Sequence, residues 1–140
     1  MAFRYLSYLF MTNAVGIVLV SHSAELAAGL RGLLAQIGSE TAPVVAAGGT
    51  DDGRIGTSYE LVAKAIESAD RGDGVVVLPD IGSSVLTART VLEDSPRLDV
   101  TIVDAPFVEG AVAAAVTAAA GGDLDAVVTA AQEARHVSKF

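Results

Sequence analysis

The chain has 140 residues and a mass of 14.2 kDa, room for one domain with a proper core and no staples. It holds no cysteine, which excludes disulfides, thiolate zinc sites and a cysteine nucleophile; its two histidines, His22 and His136, are too few for a histidine-rich metal cluster. An excess of 17 acidic over 9 basic residues gives a formal charge of −8, the wrong sign for a phosphate-backbone binder and suited to a soluble cytoplasmic protein that keeps clear of nucleic acid and anionic lipid.

Residues 1–10 (MAFRYLSYLF) hold two of the three tyrosines and two of the four phenylalanines, unlike anything that follows. They read as an extension through residue 14 ahead of a domain at 15–140, with Met11 as an alternative start; a docking helix or partner-contacting arm is the other reading. Residues 5–24 lack charge, but Met11, Thr12 and Asn13 interrupt the run and Ser21, His22 and Ser23 end it, so no membrane insertion is expected. Residues 16–20 (GIVLV) predict a short, fully buried strand. Leu26, Leu30, Leu33, Leu34 and Ile37 then recur at helical spacing, with Ser23 as the expected N-cap and Gly38 as the stop.

Residues 43–47 (PVVAA) predict a second strand, and residues 48–53 (GGTDDG) a glycine-rich turn region. A second helix carries Leu61, Val62, Ala65, Ile66 and Ala69, with Thr57 and Glu60 in the capping-box pattern. Residues 75–78 (VVVL) predict the third strand, and a third helix follows through Val85, Leu86, Ala88, Val91 and Leu92. Residues 100–103 give a fourth strand, residues 108–120 a fourth helix broken by Gly121 and Gly122, and residues 124–135 a fifth helix. Strands that alternate with helices and are almost wholly apolar predict an α/β fold: an open, mainly parallel four-stranded sheet with helices on both faces.

In such a sheet ligands bind beyond the carboxyl ends of the strands. Four segments fall there: Ser21-His22-Ser23, Gly48-Gly49-Thr50-Asp51, Pro79-Asp80-Ile81-Gly82-Ser83-Ser84 and Asp104-Ala105-Pro106. His22 and Asp80 each stand just past a strand. Neutral imidazole is a good nucleophile near pH 7, and a carboxylate bonded to one ring N–H fixes the tautomer so that the other nitrogen faces an electrophile. A helix start rich in glycine and serine supplies donors for phosphoryl oxygens. Phosphoryl transfer asks little more of a protein than in-line placement and charge stabilisation. The bland alternative is a polar loop histidine beside a common Asp-x-Gly-Ser turn; His136 reads as exposed and inert, and Asp51-Asp52-Gly53 as a turn. No G-x-S-x-G elbow, P-loop or G-x-G-x-x-G follows a strand. A receiver domain would need acidic metal ligands after the first strand, where Ser21-His22-Ser23 stands instead.

Residues 18–23 (VLVSHS), 47–57 (AGGTDDGRIGT), 80–84 (DIGSS) and 105–110 (APFVEG), in this order, resemble the phosphocarrier (DhaM) family of phosphoenolpyruvate-dependent dihydroxyacetone kinase, whose first domain is of the mannose-type EIIA group of the phosphotransferase system. The resemblance runs from about residue 15 to 128. It implies that His22 takes a phosphoryl group from the carrier HPr and passes it to ADP on the DhaL subunit, the resulting ATP phosphorylating dihydroxyacetone on DhaK. It matches Asp80 to a supporting aspartate, and Ser23, Gly82, Ser83 and Ser84 to the surroundings of the phosphoryl group. It also implies a homodimer, and neither a metal nor a small-molecule cofactor. Some family members carry HPr-like and enzyme-I-like domains after this one. Two other readings stay open: the EIIA domain of a mannose-type sugar transporter, disfavoured because Ile81-Gly82-Ser83-Ser84 lacks the proline which that group typically has after its aspartate and by the segment 105–110, and a non-catalytic regulatory module.

Overall fold

The computed structural model describes residues 14–37 and 42–140. Short apolar runs rich in valine, which is stiff at the first side-chain torsion and suited to a pleated surface, make four parallel strands. These are β1 (Gly16–Ser21), β2 (Val44–Gly48), β3 (Val75–Pro79) and β4 (Val100–Ile102), in the order β2-β1-β3-β4. Five helices follow them: α1 (Ala24–Gln36), α2 (Tyr59–Ala69), α3 (Ser83–Asp94), α4 (Phe107–Ala119) and α5 (Leu124–Glu133), with a closing 3-10 turn at Ala134–His136. The expected α/β architecture is the one found, and the parallel sheet is covered on both faces.

The period-two alternation of each strand divides the core. Ile17 and Leu19 of β1 and Val76 and Leu78 of β3 join Leu30 and Leu34 of α1 and the alanines of α4 and α5 on one face. Val18 and Val20, with Val75 and Val77, meet Val62, Ala65 and Ile66 of α2 and Ala88 and Val91 of α3 on the other. Each fully buried branched side chain contributes roughly 1.5–3 kcal/mol. Right-handed crossovers account for this division. The chain leaves β1 for β2 in one direction, with α1 on one face. It then runs the opposite way through β3 to β4, which puts α2 and α3 on the other face. The direction changes between β1 and β3, so their carboxyl ends flank the crevice where parallel sheets bind ligands.

Three expectations are corrected. Of the α1 stripe, Leu30 and Leu34 are buried with Ala27, whereas Leu26, Leu33 and Ile37 are exposed. The helix lies over the β1–β2 margin with α4 beside it, so only a narrow strip is covered. Leu86 of α3 is likewise exposed; Ser84 joins Ala88 and Val91 among the helix's buried residues. The cap of α2 is Ser58 rather than Thr57: its hydroxyl accepts from the Leu61 N–H at 3.1 Å, while the Thr57 hydroxyl meets that of Thr87 at 2.8 Å. Ser23 caps α1 as expected, accepting from the Leu26 N–H. Residues 1–13 and the stop at Gly38 lie outside the described residues, although Ala14 and Val15, beside the boundary drawn at residue 14, are buried. Among the described residues no helix is long and apolar enough to cross a membrane.

Candidate functional site at the β1–β3 switch point

The register sets the site. Val20 of β1 pairs with Pro79 of β3, so one step further along Ser21 and Asp80 come opposite each other. Ser21 continues the alternation of Ile17 and Leu19, and Asp80 that of Val76 and Leu78, so both project on the same side of the sheet. The Asp80 N–H still donates to the Val20 carbonyl at 2.9 Å, which ties the aspartate to the end of the ladder. His22 follows at the turn from β1 into α1.

Five donors converge on the Asp80 carboxylate. Oδ2 accepts from the Ser21 hydroxyl at 2.9 Å and from the His22 backbone N–H at 3.1 Å. Oδ1 accepts from the Ser84 hydroxyl at 2.6 Å and from the Ile81 N–H at 2.7 Å, and lies 2.9 Å from His22 Nδ1. Burial alone pushes the carboxyl up. The hydrogen bonds from Ser84, the Ile81 and His22 amides and Ser21 outweigh it and bring the pKa down to about 2. An ionised carboxylate only accepts, so the proton between the two side chains belongs to Nδ1. That leaves Nε2 with its lone pair. The Ser83 hydroxyl stands 2.6 Å from Nε2 and is its donor. The His22 side chain keeps 25% of its surface exposed and that of Asp80 only 10%, so the nucleophilic edge opens to solvent while its support is shielded.

The glycine-rich loop supports this arrangement through its backbone. The Gly49 N–H donates to the Ser21 carbonyl at 3.0 Å and the Gly56 N–H to the His22 carbonyl at 2.9 Å. A Cβ on Gly48 would come within 2.5 Å of the Ser23 carbonyl oxygen, so only glycine lets β2 approach the start of α1 this closely. On the opposite side α3 begins at Ser83 after Gly82, whose φ of +35° turns the chain sharply. The Ser84 and Val85 amides at this helix start donate to the Ile81 and Gly82 carbonyls at 3.0 and 3.1 Å, so the group that α3 brings to Nε2 is the Ser83 hydroxyl.

The structure therefore brings His22, Asp80, Ser83 and Ser84 together. Ser84 is wholly buried with its hydroxyl on Asp80 and 3.2 Å from Nδ1, facing away from the Nε2 edge. The Ser23 hydroxyl is occupied in capping α1, and its N–H donates to Ser21 Oγ at 3.0 Å. Gly82 contributes the turn. His136 is exposed in the final 3-10 turn, and Asp51-Asp52-Gly53 forms part of a turn region, as expected. Sequence reasoning missed Ser21 as a member of the site. The available signal was its place: a serine at the end of an apolar strand buried on both faces needs a partner. Among the described residues no group of three or more histidine, aspartate or glutamate side chains is placed to hold a metal ion.

A sheet switch point holding an oriented imidazole agrees with what the chain is similar to. The family model described as "PTS system fructose IIA component" (EIIA-man) matches residues 16–128, and the chain belongs to this family. Its relatives include the phosphoryl donor subunit DhaM of dihydroxyacetone kinase 2 from Listeria innocua, 38% identical over 81% of this chain and 94% of that protein. The phosphotransferase subunit DhaM of Lactococcus lactis is 36% identical over 80% of this chain and 89% of its own length. DhaM of Escherichia coli is 41% identical over 89% of this chain, which spans only 28% of that longer protein. A crystal structure of a protein of unknown function superposes with a TM-score of 0.79 at 31% identity, covering 86% of this chain and 94% of the other.

Proposed function

We propose that this chain is a histidine phosphocarrier, the phosphoryl donor subunit of a phosphoenolpyruvate-dependent dihydroxyacetone kinase. The observation that carries the chemistry is the pairing of Nδ1 with Asp80, which leaves the exposed Nε2 as the nucleophile. The names of the relatives favour the kinase over a sugar transporter or a regulatory module.

In the first half-reaction the Nε2 lone pair of His22 attacks the phosphorus carried by phosphorylated HPr. The donor's P–N bond breaks and its electron pair stays on the donor nitrogen. Positive charge that develops on the His22 ring is offset by Asp80, which remains ionised throughout. Ser83 must swing off Nε2 to admit the phosphorus, and its hydroxyl then donates to a phosphoryl oxygen. Ser84, and Ser23 as the cap of α1, act from behind the ring rather than on the phosphoryl group. In the second half-reaction a terminal phosphate oxygen of ADP on DhaL attacks the same phosphorus, the P–Nε2 bond breaks with its electron pair returning to Nε2 of His22, and DhaK uses the ATP so formed. We place this relay in the cytoplasm and assign it a homodimer, both resting on the family resemblance.

Incubation with phosphoenolpyruvate, enzyme I and HPr tests the reading. One acid-labile, base-stable phosphoryl group per chain is expected, absent in His22→Ala and discharged by DhaL with ADP. A phosphoryl group that persists in His22→Ala, or no labelling of the wild-type chain, overturns it.

A further inference from the structure

Ser21 is a serine at the end of a strand whose other residues on the same face of the sheet are Ile17 and Leu19, and it is 0% exposed. Its hydroxyl donates to Asp80 Oδ2 and accepts from the Ser23 N–H, so a single oxygen links the carboxylate to the residue after His22. We propose that Ser21 is a positioning residue of the relay, its hydroxyl pinning the Oδ2 side of Asp80 and thereby holding the His22 ring with Nε2 turned outward. This rests on the phosphocarrier reading for its purpose, though not for its geometry.

The two carboxylate oxygens are held unequally. Oδ1 has the Ser84 hydroxyl, the Ile81 amide and His22 Nδ1; Oδ2 has only Ser21 and the more distant His22 amide. The last torsion of an aspartate is broad and roughly two-fold, so a carboxylate anchored at one oxygen can pivot about it. The pivot leaves Oδ1 in place but turns the carboxylate plane, and with it the Oδ1 lone pairs, off the line to Nδ1; the weakened bond lets the proton reside on Nε2, the wrong tautomer for attack. Loss of the hydroxyl also strips the Ser23 N–H of its acceptor, loosening the backbone on the other side of His22.

Ser21→Ala and Ser21→Thr, made in the full chain, test the assignment with ring-¹⁵N-histidine NMR of the unphosphorylated protein and with transfer from phosphorylated HPr. In Ser21→Ala the Nε2–H tautomer of His22 should become populated, and transfer at saturating donor should fall about tenfold with KM unchanged, the scale at which partners behind a functional histidine act. Ser21→Thr, which keeps the hydroxyl, should restore both. A folded Ser21→Ala with the wild-type tautomer and rate overturns the proposal, as does a folded Ser21→Thr that restores neither. Should the alanine variant fail to fold, Ser21→Cys, close in volume and a weak donor, should shift both readouts in the same direction by less; wild-type values there overturn it equally. If the wild-type chain takes no phosphoryl group, the carrier reading fails while the ring spectrum still decides the role of Ser21.

Discussion

Asp80 and Asp104 occupy the same kind of place: Asp80 directly follows β3, and Asp104 stands two residues past the end of β4, at the same edge of one parallel sheet. Their surroundings are opposite. The Asp80 side chain is 10% exposed and receives five donors from β1, the β3–α3 turn and α3, whereas that of Asp104 is 95% exposed and has one ion pair, with Arg135 at 3.4 Å. A strand end does not by itself make a site. β3 is flanked by β1 across the switch point, so Asp80 meets the residues that leave β1. β4 is the sheet's edge, and beyond it Asp104 meets solvent and Arg135 of the closing 3-10 turn.

That contrast can be broken by exchanging carboxylate for amide at each position. Asp80→Asn should slow phosphoryl transfer by about a hundredfold, because an amide cannot accept from every donor and no longer compels Nδ1 to keep its proton. Asp104→Asn should transfer within twofold of wild type, since an exposed ion pair is worth at most about 1 kcal/mol. Equal losses in the two variants would show that strand-end position, and not the donor set, matters.

Acid sharpens the same contrast. The Asp80 pKa lies at about 2, below its ordinary 3.8, so the ionised carboxylate favours the folded state. Its contribution of about 2 kcal/mol is fully present above pH 4 and is lost as the pH falls through about 2. Denaturant melts at pH 5, 4, 3 and 2 should show this loss in the wild type and in Asp104→Asn, and should lack it in Asp80→Asn. Parallel curves in all three would remove Asp80 from the acid response.

Two glycines give smaller effects of opposite sign. Gly48→Ala drives a Cβ into the backbone at the start of α1 and should cost about 1–3 kcal/mol, slowing transfer as His22 shifts with it. Gly29→Ala adds a Cβ in open space on α1 and should stabilise by about 0.5–1 kcal/mol with unchanged transfer. A tolerated Gly48→Ala, measured by thermal melting, would mean that β2 does not set the position of the helix start.

The sheet was legible because every strand is a short apolar run set between helical periods, and the order of elements alone dictates crossovers of one hand. His22 and Asp80 were legible for the same reason, as the polar residues that end those runs. What set Asp80 apart from Asp104 in the sequence was the glycine and two serines after it and the family resemblance; strand position could not do so, because which strand is central and which is an edge depends on pairing between distant segments. Nor could sequence divide the hydroxyls. Ser23, Ser83 and Ser84 look alike in a string, but the helix geometry turns one to a cap, one to Nε2 and one to the buried carboxylate. Leu26, Leu33 and Ile37 kept the helical period yet lie exposed, because periodicity reports that a stripe exists and not how wide a surface covers it.

The most direct measurement is the identity of the phosphorylated atom. The chain labelled with ring-¹⁵N-histidine and phosphorylated through HPr should show phosphorus–nitrogen coupling to Nε2 of His22, with the proton retained on Nδ1. Phosphorus on Nδ1 of His22, or on His136, would contradict the orientation that Asp80 imposes and the carrier mechanism built on it.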